Sequence, residues 1–125
     1  MSRKVNVVQR DTGQTLLEEV RWCSSYGCKL VGFQFRRRLK SEEALILVYN
    51  QDSVRSTSIH MFFVFTPLTV VWVNRQGRVT SVQLAQPWRP YYASPEPASY
   101  VLETSPELID LFHPGDEVDF MNYPE

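Results

Sequence analysis

The chain has 125 residues, 43% of them hydrophobic and 22% charged, with a formal net charge of −1 and a pI near 6.1. That composition excludes wholesale disorder. The near-neutral balance excludes a general nucleic-acid binder, which carries a strongly basic face.

The length suits one domain, residues 1–125 with a core over about 5–120, able to bury roughly two-thirds of its unfolded surface. The opening MSRKVNVVQRDTG has no apolar run of signal-peptide length. No later run is long enough to span a bilayer. A soluble cytoplasmic protein without membrane association is the expectation.

In chain order, Val5–Arg10 and Leu16–Val20 read as short strands joined by a turn at Asp11, Thr12 and Gly13. The period then changes: Trp22, Tyr26, Leu30 and Phe33 form a helical stripe, with Ser24 or Ser25 to cap it and Gly32 near its end. Cys23 and Cys28 fall in that segment. On one helix they lie well round from each other, so two half-buried free thiols are expected rather than a disulfide. Ala44–Tyr49 (ALILVY) is an unbroken apolar run, as in a strand buried on both faces. Ser58–Phe65 and Thr69–Asn74 follow as strands, then Arg78–Ala85 after the Gln76-Gly77 turn. Pro87–Pro97 reads as an irregular surface loop, and Tyr100–Glu103 as a return to strand. Ser105, Pro106 and Glu107 start a short helix, with Ser as N-cap and Pro in the first turn. His113 sits at its end, where a cation suits the helix dipole. Glu117–Phe120 closes the domain as a strand.

Several of these segments carry a resemblance. Lys29–Arg36 (KLVGFQFR), then Leu39, then Glu43–Tyr49 (EALILVY) resemble the opening of the domain-of-unknown-function 192 family, which reads Arg-x-x-Gly-Leu-Met-x-Arg, then Leu, then Glu-Gly and an apolar strand. Pro67-Leu68 before the VVWV strand, the turn Gly77–Val79, the stretch Tyr92–Glu103 and Gly115–Val118 resemble its later motifs. The resemblance runs from about Val20 to Phe120. It implies a mostly β domain with short helices and no established activity. This chain also departs from the pattern. It has His60-Met61 and then Phe62–Val64 where the family has Trp-Met and Lys-Asn-Thr. It has Thr69 in place of an acid and Ala44 in place of a glycine. An activity resting on that Asn, Thr and Asp is therefore not implied here.

The chemistry-bearing residues are few. His60 lies between Ile59 and Met61, a setting more typical of packing than of catalysis. The Cys-x4-Cys spacing is wider than usual zinc pairs, and the two histidines are far apart, so no metal site and no cofactor are expected. There is no phosphate-cradling glycine loop and no paired-carboxylate pattern in an apolar context. The acids Asp116, Glu117 and Asp119 read as a solvated turn and edge strand. The run Arg36-Arg37-Arg38-Leu39-Lys40 reads either as a solvated helix exit or as an anion site, to which Arg55 adds donors. Arg36 has a competing role, an ion pair with Glu42 or Glu43. Trp88, Arg89 and Tyr91 stand on a proline-stiffened loop, where aromatics lose little entropy on binding.

The expected fold is α+β and mostly β: seven to nine short strands in a strongly bent antiparallel or mixed sheet or small barrel, with two short helices outside. Leu45, Leu47, Phe63, Val71, Val73, Val101 and Leu102 are the expected core. The expected function is a non-enzymatic binding module, monomeric or weakly self-associating. Its ligand would be a small anionic or carbohydrate-like molecule or a protein partner, held by Arg36, Arg55, His60, Trp88, Arg89 and Tyr91. The alternatives are an enzyme using His60 with a cysteine or Arg55, and a structural or assembly domain.

Overall fold

Seven strands form one strongly curled, half-barrel sheet in this computed structural model, which describes residues 3–36, 39–40 and 43–123. The strands are β1 (Lys4–Gln9), β2 (Thr15–Cys23), β3 (Ala44–Ser53), β4 (Leu68–Val73), β5 (Val79–Ala85), β6 (Ala98–Thr104) and β7 (Val118–Asn122). Their order across the sheet is β5-β4-β6-β3-β2-β1-β7. Every neighbouring pair is antiparallel except β2 and β3, which run parallel with Arg21, Trp22 and Cys23 opposite Leu45, Ile46 and Leu47. A parallel pair needs a crossover, and this one contains the helix α1 (Tyr26–Val31). A 3-10 helix, Pro106–Leu111, is the second short helix.

Both faces of the sheet centre are covered, which explains why β3 and β4 are apolar without alternation. One cluster takes Leu45, Leu47, Val70, Trp72 and Val101, with Phe33, Met61 and Val64 from the connections. The other takes Ile46, Val71, Val73 and Leu102, with Val5, Val20 and Phe112. The Trp72 indole N–H donates to the Thr57 carbonyl at 2.8 Å, tying the 54–67 loop to the sheet. Gly77 is the one glycine that close packing demands. Its φ is +87°, and a Cβ there would meet the Arg10 guanidinium and the Val118 carbonyl. Arg10 in turn pairs with Glu117 and Asp119, each at 2.9 Å, so part of the acidic turn is neutralised.

Four expectations are corrected. The helix does not run from Trp22 to Phe33. Trp22 lies on β2 and packs its ring against Tyr100 and Phe120 at 5.9 and 5.8 Å. The helix that follows is a turn and a half with no buried residue, and Tyr26 and Leu30 are exposed. Ser25, not Ser24, caps it by accepting from the Cys28 amide at 3.2 Å.

The thiols are not free. Cys23 ends the strand and Cys28 stands inside the helix, so the chain turns between them and a disulfide joins them across a Cα separation of 5.6 Å. The assumption of a single helix through both residues is what failed.

Ser58–Phe65 is not a strand. It is an irregular loop with one bridge, Ile59 to Tyr92. Phe63 accordingly leaves the core: it is 46% exposed, with a φ of +62° that extended structure does not allow. The other six expected core residues are all buried. Ser105 precedes the 3-10 helix but makes no side-chain cap bond. Its hydroxyl is buried without a hydrogen-bond partner among the described residues.

Candidate functional site

Strand β6 places Val101 and Glu103 on the same face, because side chains alternate along a strand. The register sets Glu103 between Leu45 of β3 and Val70 of β4. A carboxyl group therefore lies on the apolar inner face of the sheet, only 6% exposed. Among the described residues it makes no hydrogen bond and no ion pair. Burial pushes its pKa up from 4.5 to about 7. Tyr49, on the same face of β3, is raised as well, first by burial and then by the nearby Glu103 charge.

The carboxyl forms part of the wall of a cavity of about 90 Å³. The helix and its exit supply Lys29, Gly32 and Phe33; the sheet supplies Leu47, Tyr49 and Leu68; the 58–64 segment supplies His60, Met61 and Val64. Lys29 is held away from the acid. Its ammonium donates to the Val48 carbonyl at 2.9 Å and lies 4.4 Å from the Tyr49 ring centroid. Gly32, the helix C-cap, leaves the carboxyl uncovered, since a Cβ there would stand 3.5 Å from Glu103 Oε1. His60 is exposed at the rim, its Nδ1 accepting from the Phe62 amide at 3.2 Å.

Beside the cavity stands a cluster of exposed aromatic rings. Phe35 and Phe63 are stacked with centroids 5.3 Å apart, Phe63 meets Trp88 at 5.0 Å, and Phe65 meets Trp88 at 5.9 Å. Backbone bonds hold the segments together: Phe35 N–H donates to Phe63 O at 2.7 Å, and Trp88 N–H to Met61 O at 2.8 Å. Phe35, Phe63 and Trp88 all have φ between +62° and +68°, and among the described residues only Glu19 joins them as a non-glycine in that region. Such conformations cost on the order of 1 kcal/mol or more each and persist where surrounding contacts fix them, often at ligand clamps. Three strained residues here carry one continuous aromatic surface.

The residues expected to form a site do not all meet. His60 lines the cavity; Trp88 belongs to the ring cluster and is tied to the lining only through its amide bond to Met61 O, while Arg89 and Tyr91 are exposed on the same loop. Arg55 is exposed on the turn before Ile59, its carbonyl accepting from Ser58. Arg36 faces a different, more open groove of about 650 Å³ with Lys4, Glu18, Glu19 and Lys40. Its guanidinium forks onto Glu43, with Nη1 to Oε2 at 2.9 Å and Nη2 to Oε1 at 2.8 Å. Burial raises the Glu43 pKa, but the bonds from Arg36 and the Lys40 amide outweigh it and hold the carboxyl below its usual range. Arg37, Arg38 and Glu42 lie outside the described residues. Among the described residues no cluster of His, Cys, Asp and Glu is placed to hold a metal ion, and no helix is long and apolar enough to cross a membrane.

Glu103, Tyr49, Lys29 and the three phenylalanines were not among the expected site residues. For Glu103 a signal exists: it stands two residues after Val101 in an apolar strand, on the face the core requires.

A family model for DUF192, described as "Uncharacterized ACR", matches residues 7–120. The UPF0127 protein of Pyrococcus furiosus is 26% identical over 98 residues, covering 78% of this chain and 81% of that one. The UPF0127 protein of Thermococcus sibiricus is 32% identical over 79 residues, or 62% of this chain and 51% of the relative. The chain thus spans about half the length of that relative. Among solved structures, a protein of unknown function from Novosphingobium aromaticivorans superposes with a TM-score of 0.78 at 23% identity, over 94% of this chain and 84% of that one. A candidate transcription regulator from Sinorhizobium meliloti also gives 0.78, at 20% identity over 96% and 94%. At these identities the likeness is one of fold.

Proposed function

The chain belongs to the DUF192 family, and we propose that this member is a binding module for a small ligand. A compact polar group enters the Glu103 cavity, and a carbohydrate-like or otherwise flat body rests on Phe35, Phe63, Phe65 and Trp88. The observation that carries this reading is the Glu103 carboxyl, buried on an apolar face with no partner among the described residues. Leaving such a group unpaired costs several kcal/mol in order of magnitude. Perturbed groups of this kind cluster where a protein uses them. The exposed rings beside it offer rigid contact area at little entropic cost.

Binding is favoured over catalysis by the composition of the lining. Among the described residues it holds one carboxyl and no second, whereas glycoside hydrolysis canonically uses a pair. Both cysteines are locked in a disulfide, so His60 has no thiol partner to activate. The anion-binding variant loses support because the Arg36 fork is occupied by Glu43.

The test is a titration of neutral and amino monosaccharides and small amines, followed by intrinsic fluorescence of the protein and of a Trp88→Phe variant. Saturable quenching that depends on Trp88 is expected for at least one member of the panel. No saturable change, or one that survives in the variant, would refute the reading.

A further inference from the structure

We infer that the group entering the cavity is a protonated amine, anchored by the Glu103 carboxylate while the aromatic rings seat the rest of the ligand. This inference rests on the binding-module reading and specifies its ligand.

The wall of the cavity carries an acid with no ion-pair partner among the described residues. Among the described residues the only Lys or Arg of the lining is Lys29, and its ammonium is spent on the Val48 carbonyl and the Tyr49 ring. A ligand ammonium supplies both the missing charge and the missing donors. A charge-assisted bond of that kind is roughly twice as strong as a neutral one. A hydroxyl supplies a donor and no charge, and an anion meets repulsion. The aromatic faces act in the same sense, because their negative quadrupoles favour a cation passing over them. Size limits what enters. The accessible space is small, about 90 Å³, which suits an ammonium on a short stem. A ring or a longer chain stays outside, on the platform. Gly32 adds no atom beside the acid, where a Cβ would already stand in van der Waals contact with Oε1.

The other titratable groups facing the acid are Lys29 from α1, Tyr49 from β3 and His60 from the loop at the rim. A protonated His60 opposes a ligand cation just as a protonated Glu103 fails to attract it. A variant at Glu103 is therefore needed to tell the two apart.

The experiment titrates the whole protein with n-butylammonium and cyclohexylammonium, each against its neutral alcohol, n-butanol and cyclohexanol. Backbone-amide NMR reads affinity and location at pH 6 and pH 8. The alkyl and ring arms separate the two kinds of ligand body. At pH 8 each amine should bind at least tenfold more tightly than its alcohol, with shifts centred on Gly32, Tyr49 and Glu103. Because the carboxyl ionises at about 7, affinity for the amines should fall about tenfold between pH 8 and pH 6. Glu103→Gln, shown to be folded by its own amide spectrum, should lose both the amine preference and the pH dependence. Alcohols binding as tightly as amines, or a Glu103→Gln protein that keeps the preference, would overturn the inference and leave a neutral-ligand module standing. If neither amines, alcohols nor the monosaccharide panel shift the cavity and ring residues, the inference falls together with the binding reading.

Discussion

Replacing Glu103 by Gln should make the protein more stable at neutral pH, and increasingly so as pH rises. The unfolded chain releases this proton near 4.5, whereas the folded chain keeps it to about 7. Between those values the folded state binds more protons, so each step upward in pH favours unfolding. Below the window both states hold the proton, and above it both have lost it. The cost reached at pH 8 is about 3 kcal/mol, from 1.36 kcal/mol for each unit between 4.5 and about 7. Gln keeps the shape and the hydrogen-bonding capacity without the charge. The stability gap between variant and wild type should therefore widen by about 3 kcal/mol between pH 4 and pH 8. Urea titrations followed by circular dichroism at unit pH intervals measure that gap directly. Working with the difference removes other carboxylates such as Glu43, whose slope has the opposite sign. A gap that stays constant, or that widens toward acid, would refute a buried, unpartnered carboxyl.

Four further outcomes are expected. Leu47→Ala should cost about 2–5 kcal/mol because the side chain is buried in the inner cluster. Phe63→Ala should cost about 1 kcal/mol, since its ring is half exposed and held by stacking; equal losses in denaturant titrations would contradict the placement of the 58–65 loop. Arg36→Ala should cost about 1 kcal/mol or less at neutral pH, the pair being partly exposed. That loss should fade as acid protonates Glu43 below its ordinary range, and ligand titrations should be unaffected. Removing the disulfide with Cys28→Ser or a thiol reductant should cost about 2 kcal/mol for so short a loop. Urea midpoints with and without reductant check this, and an unchanged midpoint would count against the bridge.

The strands were legible where β-branched runs are bounded by turn residues. ALILVY and VVWV lie within β3 and β4, and the Gln76-Gly77 turn separates β4 from β5. The β2–α1 boundary was not. Trp22, Tyr26, Leu30 and Phe33 fit a helical period, yet Trp22 belongs to a strand and the helix turns no buried face toward the sheet. Periodicity there was coincidence, and it hid the disulfide, whose geometry depends on the chain turning at Ser24 and Ser25. In the 58–65 segment composition misled. Ile59, Met61 and Val64 point inward while Phe62, Phe63 and Phe65 face out, a spacing that is not strictly two. A positive φ at Phe63 breaks any extended run, and nothing in one phenylalanine announces it. His60 and Trp88 are visible in the sequence by their chemistry. Glu103 carries no such mark, because its meaning lies in its register between Leu45 and Val70, which only tertiary pairing sets.

The strand order has a consequence for how the chain is made. β1 runs beside β7, with Val5 opposite Asn122, and β3 and β4 are joined only through β6 between them. As the chain emerges from the ribosome, the β1–β2 hairpin forms early, but its outer edge has no neighbour until the last strand is synthesised. The slot between β3 and β4 likewise stays open until β6 arrives. An unpaired edge and an open slot are templates for wrong pairing, and closure that waits on such distant segments is slow. The sheet therefore closes only once β6 and β7 are both available, and until then the β1 edge and the β3–β4 slot are the places where wrong pairing would start.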